Sequence, residues 1–220
     1  MSHAMTQPTL SPSASAPETE EAEALTIPAS VISRLDPVVL QVFSRGDFHR
    51  VDMRTIAKQA GMSFTTIYRY FGDKEALLFW FIAHWLKDLT QAVVTAIDAN
   101  EGDTLAQLKS SLTSHFAYYE KNPDVGRIIF MTVPLERWMR DPTYKYRVPM
   151  QRILAVISQG QKQGLIRRDT SVALVMDLIF GLFNRTFLMW EYRGRVDSLV
   201  AKSDACFDLI VGGVVQRPGT

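Results

Sequence analysis

From about Ser33 to residue 212 the apolar residues recur at steps of three and four, and no convincing run of alternating apolar and polar positions interrupts them. Clusters of Gly, Pro and Asp punctuate this pattern at Gly46-Asp47, Gly61, Gly72-Asp73, Gly102-Asp103, Asn122-Pro123, Asp141-Pro142, Gly164 and Gly194. They delimit about nine helices, predicted at 34–45, 53–59, 64–70, 74–98, 104–121, 124–132, 144–162, 170–191 and 196–212. The predicted fold class is all-α. In the segment 74–98 Asp73 is the expected N-cap, and Leu78, Phe81, Trp85, Leu89 and Val93 form one apolar stripe along a long rod. Residues 1–26 are Ser, Pro, Ala, Thr and Glu with almost no large apolar side chains. Such a segment buries too little surface to offset chain entropy, so it is expected to be a disordered tail, with Met1 to Met5 a possible cloning remnant.

The stretch from Asp52 to Phe71 predicts two short helices joined by a sharp turn. Gly61 ends the first, because it takes a positive φ without a Cβ clash. Ala57 leaves room for a close crossing, and Ile56, Ala60, Ile67 and Phe71 are placed to bury the seam. Ser63 is the expected N-cap of the second helix. Two helices so joined form a helix-turn-helix, whose second helix enters the DNA major groove. The side chains left over are Phe64, Thr65, Thr66, Tyr68 and Arg69. Threonine hydroxyls reach phosphates or base edges, and a Thr methyl or the Phe64 ring packs on thymine methyl groups. Tyr68 and Lys74 suit phosphates, Arg54 suits a phosphate or a guanine edge, and Thr55 and Ser63 complete the candidate DNA-binding set. Geometry alone leaves a plain solvated helix pair as the competing interpretation.

The residues Ile56-Ala57, Ala60-Gly61-Met62-Ser63, Ile67-Tyr68, Tyr70-Phe71 and Asp73-Lys74-Glu75-Ala76-Leu77-Leu78 together resemble the DNA-binding signature of the TetR family of transcriptional regulators. A looser resemblance covers Gly160 to Asp169 and the apolar helix containing Gly181, which are similar to the approach to that family's dimer-forming helix and the helix itself. The resemblance implies a homodimer with two recognition helices and a variable C-terminal domain, most members being repressors released by a small ligand. On matched positions it implies phosphate contacts for Thr66, Tyr68 and Lys74, and base contacts for Phe64 and Arg54. There are two departures: Asp52-Met53 stands where Thr or Ser commonly opens the first of the two helices, and Phe64 where small or polar residues are usual.

The helix predicted at 170–191 is apolar on more than one side. Val172, Met176, Ile179, Phe183, Phe187 and Trp190 form one stripe, and Leu174, Leu178, Leu182 and Met189 lie around from it. A helix apolar nearly all round is buried on both flanks. It belongs either to a large internal core or to a two-fold four-helix interface made with 196–212. The candidate interface residues are Met176, Ile179, Phe183, Phe187, Phe207 and Ile210. A dimer would present two recognition helices about 34–36 Å apart, one turn of DNA. The abundant aromatic and Met side chains of the C-terminal region either line an apolar pocket or simply pack. Candidate lining residues are Trp85, His115, Phe116, Tyr119, Phe130, Trp138, Phe180, Asn184 and Arg185. A buried Arg185 would need an acidic partner, with Asp177 on the same helix, or an anionic ligand. The expected domain map is a tail at 1–26, a DNA-binding domain at 27–73 and an effector-binding and dimerisation domain at 74–216.

Composition narrows the classes. Apolar residues make up 47% and charged residues 21%, ordinary for a globular chain. The net charge of +1 hides an uneven distribution: 44–74 carries six Lys and Arg against three Asp, behind a tail holding Glu18, Glu20, Glu21 and Glu23. The single cysteine, Cys206, excludes an intrachain disulfide. The apolar stretches at Leu77–Leu86 and Leu174–Trp190 are interrupted by His84, Asp177, Asn184 and Arg185, so no membrane span is expected and the location is expected to be cytoplasmic. His3, His49, His84 and His115 are dispersed, and Gly-rich phosphate loops, His-Glu-x-x-His and Gly-x-Ser-x-Gly motifs are absent. Neither metal, cofactor nor enzymatic activity is expected. The leading expectation is a repressor that releases a palindromic double-stranded operator on binding a small, largely apolar effector. The competing one is a dimeric helical ligand-binding protein without DNA-binding activity or, less favoured, an enzyme.

Overall fold

The computed structural model describes residues 26–142, 144 and 147–215, so the expected disordered tail lies outside the described residues except for its last position, as does residue 216. Among the described residues every regular element is helical: α1 Ala29–Arg45, α2 Met53–Gln59, α3 Phe64–Phe71, α4 Lys74–Asp98, α5 Thr104–Lys121, α6 Pro123–Arg127, α7 Leu135–Arg140, α8 Arg147–Gln163, α9 Val172–Tyr192 and α10 Ser203–Val214. Short 3-10 turns stand at Phe48–Arg50 and Val200–Lys202. Helix α1 begins earlier than the periodicity predicted, because the extended Pro28 launches it: its carbonyl accepts from Val31 and Ile32 at 2.9 and 3.1 Å. Pro37 sits inside α1 without ending it. One missing donor is outweighed by the buried stripe of Leu35, Val39 and Phe43. The predicted helix at 124–132 is a five-residue α-helix that widens into a π-helical turn at Ile128–Thr132. Helix α7 was not predicted, since six residues are too few to show a periodic signal.

Helix α4 organises the molecule. Asp73 caps it through Glu75 and Ala76 amides, both at 2.8 Å, and Leu77, Leu78, Phe81, Ile82, Leu86, Leu89, Val93 and Ile97 are buried along its length. Its first turns pack against α1 and α3, and the rest packs on α5 and α8. Helix α9 closes the far side against α5, α8 and α10. By length and composition alone α9 is apolar enough to cross a membrane, but here one face, Val175, Met176, Ile179, Phe183, Phe187 and Trp190, packs into the core.

This placement corrects the expected dimer residues. Met176, Ile179, Phe183, Phe187, Phe207 and Ile210 all lie inside the subunit, none more than 9% exposed. The leucines that α9 and α10 leave outside are Leu174, Leu178 and Leu209, with Tyr192 exposed at the end of α9. On a helix apolar all round, periodicity does not rank the faces. The aromatic stripe turned inward because a ring removes more apolar area from water than a leucine does.

Candidate nucleic-acid interface and effector region

The geometry of α2 and α3 follows from their caps. Asp52, where a Thr or Ser is commoner, accepts from the Thr55 amide at 3.3 Å and so opens α2. At its end Gly61 adopts φ 61°, and the Met62 amide donates back to the Ala57 carbonyl at 2.9 Å. A side chain there would strain the turn. The Arg34 guanidinium donates to the Gly61 carbonyl and fastens the turn to α1. Ser63 accepts from the Thr66 amide at 3.0 Å, opening α3, and Gly72 at φ 75° closes it. Ile56, Ala57, Ala60, Ile67 and Phe71 are buried, as the seam required.

Phe64, Thr65, Tyr68 and Arg69 project outward from α3, joined on the same surface by Arg54 and Thr55 of α2. Thr66 is half-buried and its hydroxyl lies 2.7 Å from that of Ser63, so part of its polar capacity serves the cap. Phe64 and Tyr68 are stacked with centroids 5.8 Å apart, and the Arg54 Cζ stands 5.9 Å from the Phe64 centroid. Arg69 leans on Tyr70, 5.0 Å from its centroid, and donates to its hydroxyl at 3.3 Å. Lys74 sits differently from expectation. Its Nζ donates to the carbonyls of Phe48, His49 and Val51 at 2.9, 3.2 and 3.2 Å, matching all three ammonium donors. Its first task is therefore to tie the start of α4 to the 3-10 turn.

In the body, His115, Phe116, Tyr119 and Phe130 come together with Phe183 and Phe187 in one packed aromatic cluster. Phe116 lies 5.0 Å from Phe183, Tyr119 5.1 Å from Phe130, and Phe130 5.2 Å from Phe187. His115 is edge-on to Phe180 at 5.3 Å, and its Nδ1 donates to the Ser111 carbonyl at 2.7 Å. Burial drives its pKa down from 6.5 to about 4, the Ser111 contact opposing only part of that, so the ring is neutral at pH 7. Burial likewise pushes the Tyr119 hydroxyl well above its ordinary range.

Beside the cluster a groove of about 520 Å³ runs between α7, α8 and α9, lined by Met139, Tyr144, Met150, Leu154, Met176 and Phe180 among others. Of the expected pocket residues Phe180 lines it directly, and Trp138 stands behind Tyr144 with ring centroids 4.8 Å apart. Trp85 faces elsewhere: its Nε1 donates to Asp36 of α1, and Tyr118 donates to its carbonyl at 2.6 Å. Arg185 is exposed on the outer face of α9, so the expectation of a buried, pocket-lining arginine is corrected. Among the described residues the buried Asn184 Oδ1 and Trp138 Nε1 have no hydrogen-bond partner. From sequence the methionines are weighed for the pocket only collectively; Met139 and Met150 are not singled out, and Met176 is assigned to the dimer interface. Their recurrence at 139, 150 and 176 was the available signal, since flexible thioethers suit adaptable apolar sites.

An all-helical chain with a solvent-facing second helix after a glycine turn, continuous through a long rod with an aromatic-filled body, has the architecture of a helix-turn-helix DNA-binding regulator. The chain belongs to the TetR family: "Bacterial regulatory proteins, tetR family" matches residues 40–79, and "YsiA-like protein, C-terminal region" matches residues 84–213. A curated relative, the fatty acid metabolism regulator protein of Bacillus subtilis (strain 168), is 24% identical over 188 residues, spanning 81% of this chain and 92% of its own. Among solved structures, FadR of Bacillus subtilis in complex with stearoyl-CoA superposes with a TM-score of 0.71 at 20% identity, covering 82% of this chain and 98% of that one. The fatty acid degradation regulator FadR of Bacillus halodurans gives 0.67 at 18% identity, covering 87% and 100%. These relatives are regulators rather than enzymes.

Proposed function

We propose that the chain is a homodimeric TetR-type repressor of the bacterial cytoplasm that leaves a palindromic operator when it binds a long-chain acyl thioester of coenzyme A. The proposed division of labour places operator binding in residues 27–73 and effector binding and dimerisation in 74–216. Arg54, Thr55, Phe64, Thr65, Tyr68 and Arg69 make the DNA contacts, while Ser63, Thr66 and Lys74 hold the recognition helix in place beside the phosphates. The outer leucines of α9 and α10 form the two-fold contact.

One observation carries the choice of effector. The apolar groove is lined from α8 by Met150 and Leu154, and one turn further along that helix a second hollow of about 550 Å³ is lined by Ser158, Gln161, Lys162 and Arg168. At about 1.5 Å per residue the two sites are neighbours on one helix. An apolar compartment followed by a basic one suits an acyl chain with a phosphate-bearing head, the chemistry of the stearoyl-CoA held by the Bacillus subtilis protein. The groove reaches the DNA-binding unit by way of the aromatic cluster: Phe180 in its wall stands 6.4 Å from Phe183, which stands 5.9 Å from Phe130 of the π turn. Phe130 belongs to the aromatic cluster, and Thr132 two residues on donates to the Phe43 carbonyl of α1 at 3.2 Å. Arg137 of α7 pairs with Glu75 in the first turn of α4 at 3.0 Å. Filling the groove displaces these contacts and changes the spacing of the two recognition helices.

The test is a mobility-shift titration of full-length protein on the DNA upstream of its own gene, with and without stearoyl-CoA. Retardation should weaken steeply with rising salt and be reversed by micromolar stearoyl-CoA but not by coenzyme A alone. Retardation that stearoyl-CoA leaves unchanged overturns the effector assignment.

A further inference from the structure

Resting on the DNA-binding role of α3 just proposed, we infer that the acidic run from Glu18 to Glu23 is a built-in competitor for DNA. Its carboxylates pair with the cationic face of the helix-turn-helix around Lys58, and phosphates bind there only by displacing them. That face is charged and unpaired. Arg50, Arg54, Lys58 and Arg69 are all exposed, and among the described residues none of them forms an ion pair. The carboxylates of the same unit turn to backbone amides instead. Asp47 accepts from His49 at 2.9 Å, Asp52 from Thr55 at 3.3 Å, and Asp73 from Glu75 and Ala76 at 2.8 Å. Opposite charge is supplied by Glu18, Glu20, Glu21 and Glu23, with no Lys or Arg anywhere in residues 1–26.

Chain geometry brings the two charges together. Arg34 lies five residues into α1, about 7.5 Å along its axis. Its guanidinium donates to the Gly61 carbonyl, and the Gly61 amide donates to the Lys58 carbonyl at 3.1 Å. The start of α1 therefore stands beside the end of α2. Ile27 packs against the core, and Glu23 and Glu18 precede Thr26 by three and eight residues. At about 3.3 Å per residue they reach up to about 10 and 26 Å from it. Between residues 27 and 74 the only lysines are Lys58 and Lys74, and Lys74 already gives its three donors to the carbonyls of Phe48, His49 and Val51. Lys58 is thus the amine open to the run. Each exposed pair is weak by itself. A short tether, however, holds the carboxylates at a high effective concentration beside the cations, so they act together.

The experiment is carbodiimide coupling of the full-length protein, mapped by mass spectrometry and paired with a DNA titration. Carbodiimide joins a carboxylate to an amine only where the two touch. Coupling should link the Glu18–Glu23 peptide to Lys58 and not to Lys74, and should be lost when duplex DNA is added or when salt is raised to about 0.5 M. Glu18→Gln, Glu20→Gln, Glu21→Gln and Glu23→Gln combined keep the chain length and remove the charge. That variant should bind any duplex about tenfold more tightly than wild type at low salt, with the advantage fading as salt rises. Absence of the Lys58 link overturns the inference whatever the titration shows, because mere repulsion of DNA by a distant tail would tighten the variant without any contact. Unchanged affinity in the variant, with DNA binding itself intact, overturns the inference alone. Failure of both proteins to bind any duplex at any salt overturns the operator-binding role and the inference with it.

Discussion

The helix-turn-helix unit and the helical body dispose of their apolar side chains in opposite ways. Where α2 and α3 cross, Ile56, Ala57, Ala60 and Ile67 fill the seam, and the rings of Phe64 and Tyr68 are left outside. In the body the rings of Phe116, Tyr119, Phe183 and Phe187 are inside, and Leu174, Leu178 and Leu209 are left outside. The body follows the area rule, since burying a ring stabilises more than burying a leucine. Helix α3 reverses it. An aromatic pair kept on the surface beside arginine and threonine is the arrangement of a recognition face, whereas outer leucines on two adjacent helices are that of an association face.

The largest effect separates ring burial in the two regions. Phe187 fills the body core so tightly that a Cβ on Gly126 would collide with its ring. Phe187→Ala should therefore lose about 3–5 kcal/mol of unfolding free energy in urea titration. Phe64→Ala, on the surface, should stay within about 0.5 kcal/mol of wild type. Equal losses would erase the distinction.

Acid should weaken the body selectively. The unfolded chain protonates His115 near 6.5, while the folded chain holds it neutral down to about 4. The unfolded state thus binds more protons between those values, and stability falls as pH drops through that window, by about 3 kcal/mol at most. Melting temperature measured from pH 7 to 4 should fall in wild type and flatten in His115→Phe. A parallel fall in both would remove His115 from the explanation.

The outer leucines should matter to association rather than to the subunit fold. Leu178→Glu and Leu209→Glu should each weaken the dimer at least tenfold, about 1.4 kcal/mol, in sedimentation velocity. An unchanged sedimentation coefficient at low concentration would reassign that face. Smallest is the cap: Ser63→Ala should cost about 1 kcal/mol of stability. It should also weaken operator binding beyond that loss, because the first turn of α3 frays where Phe64 stands.

Much of this was legible in the sequence where one residue has one task. Gly61 had to turn, Ser63 and Asp73 had to cap, and Ile56, Ala57, Ala60, Ile67 and Phe71 had to meet. The outward face of α3 followed by subtraction. In the body the same procedure did not foresee that the Met176, Ile179, Phe183 and Phe187 stripe of α9 packs inside the subunit, because a helix apolar on all sides carries no periodic signal to rank its faces. The groove escaped for a related reason. Met139 of α7, Tyr144 of the following connection and Met150 of α8 meet Met176 of α9, some 26 residues beyond Met150, and only tertiary packing assembles them. Lys74 shows a third limit: its charge was visible, but not the three carbonyls that the preceding turn aims at it.

Amide hydrogen exchange of the full-length protein, free and bound to its operator duplex, tests the central claim most directly. The account predicts new protection concentrated in α3 and the start of α2, around Phe64 to Arg69 and Arg54, with α9 and α10 equally protected in both states. Protection confined to α9 and α10, with α3 exchanging as fast on DNA as off it, would contradict the account.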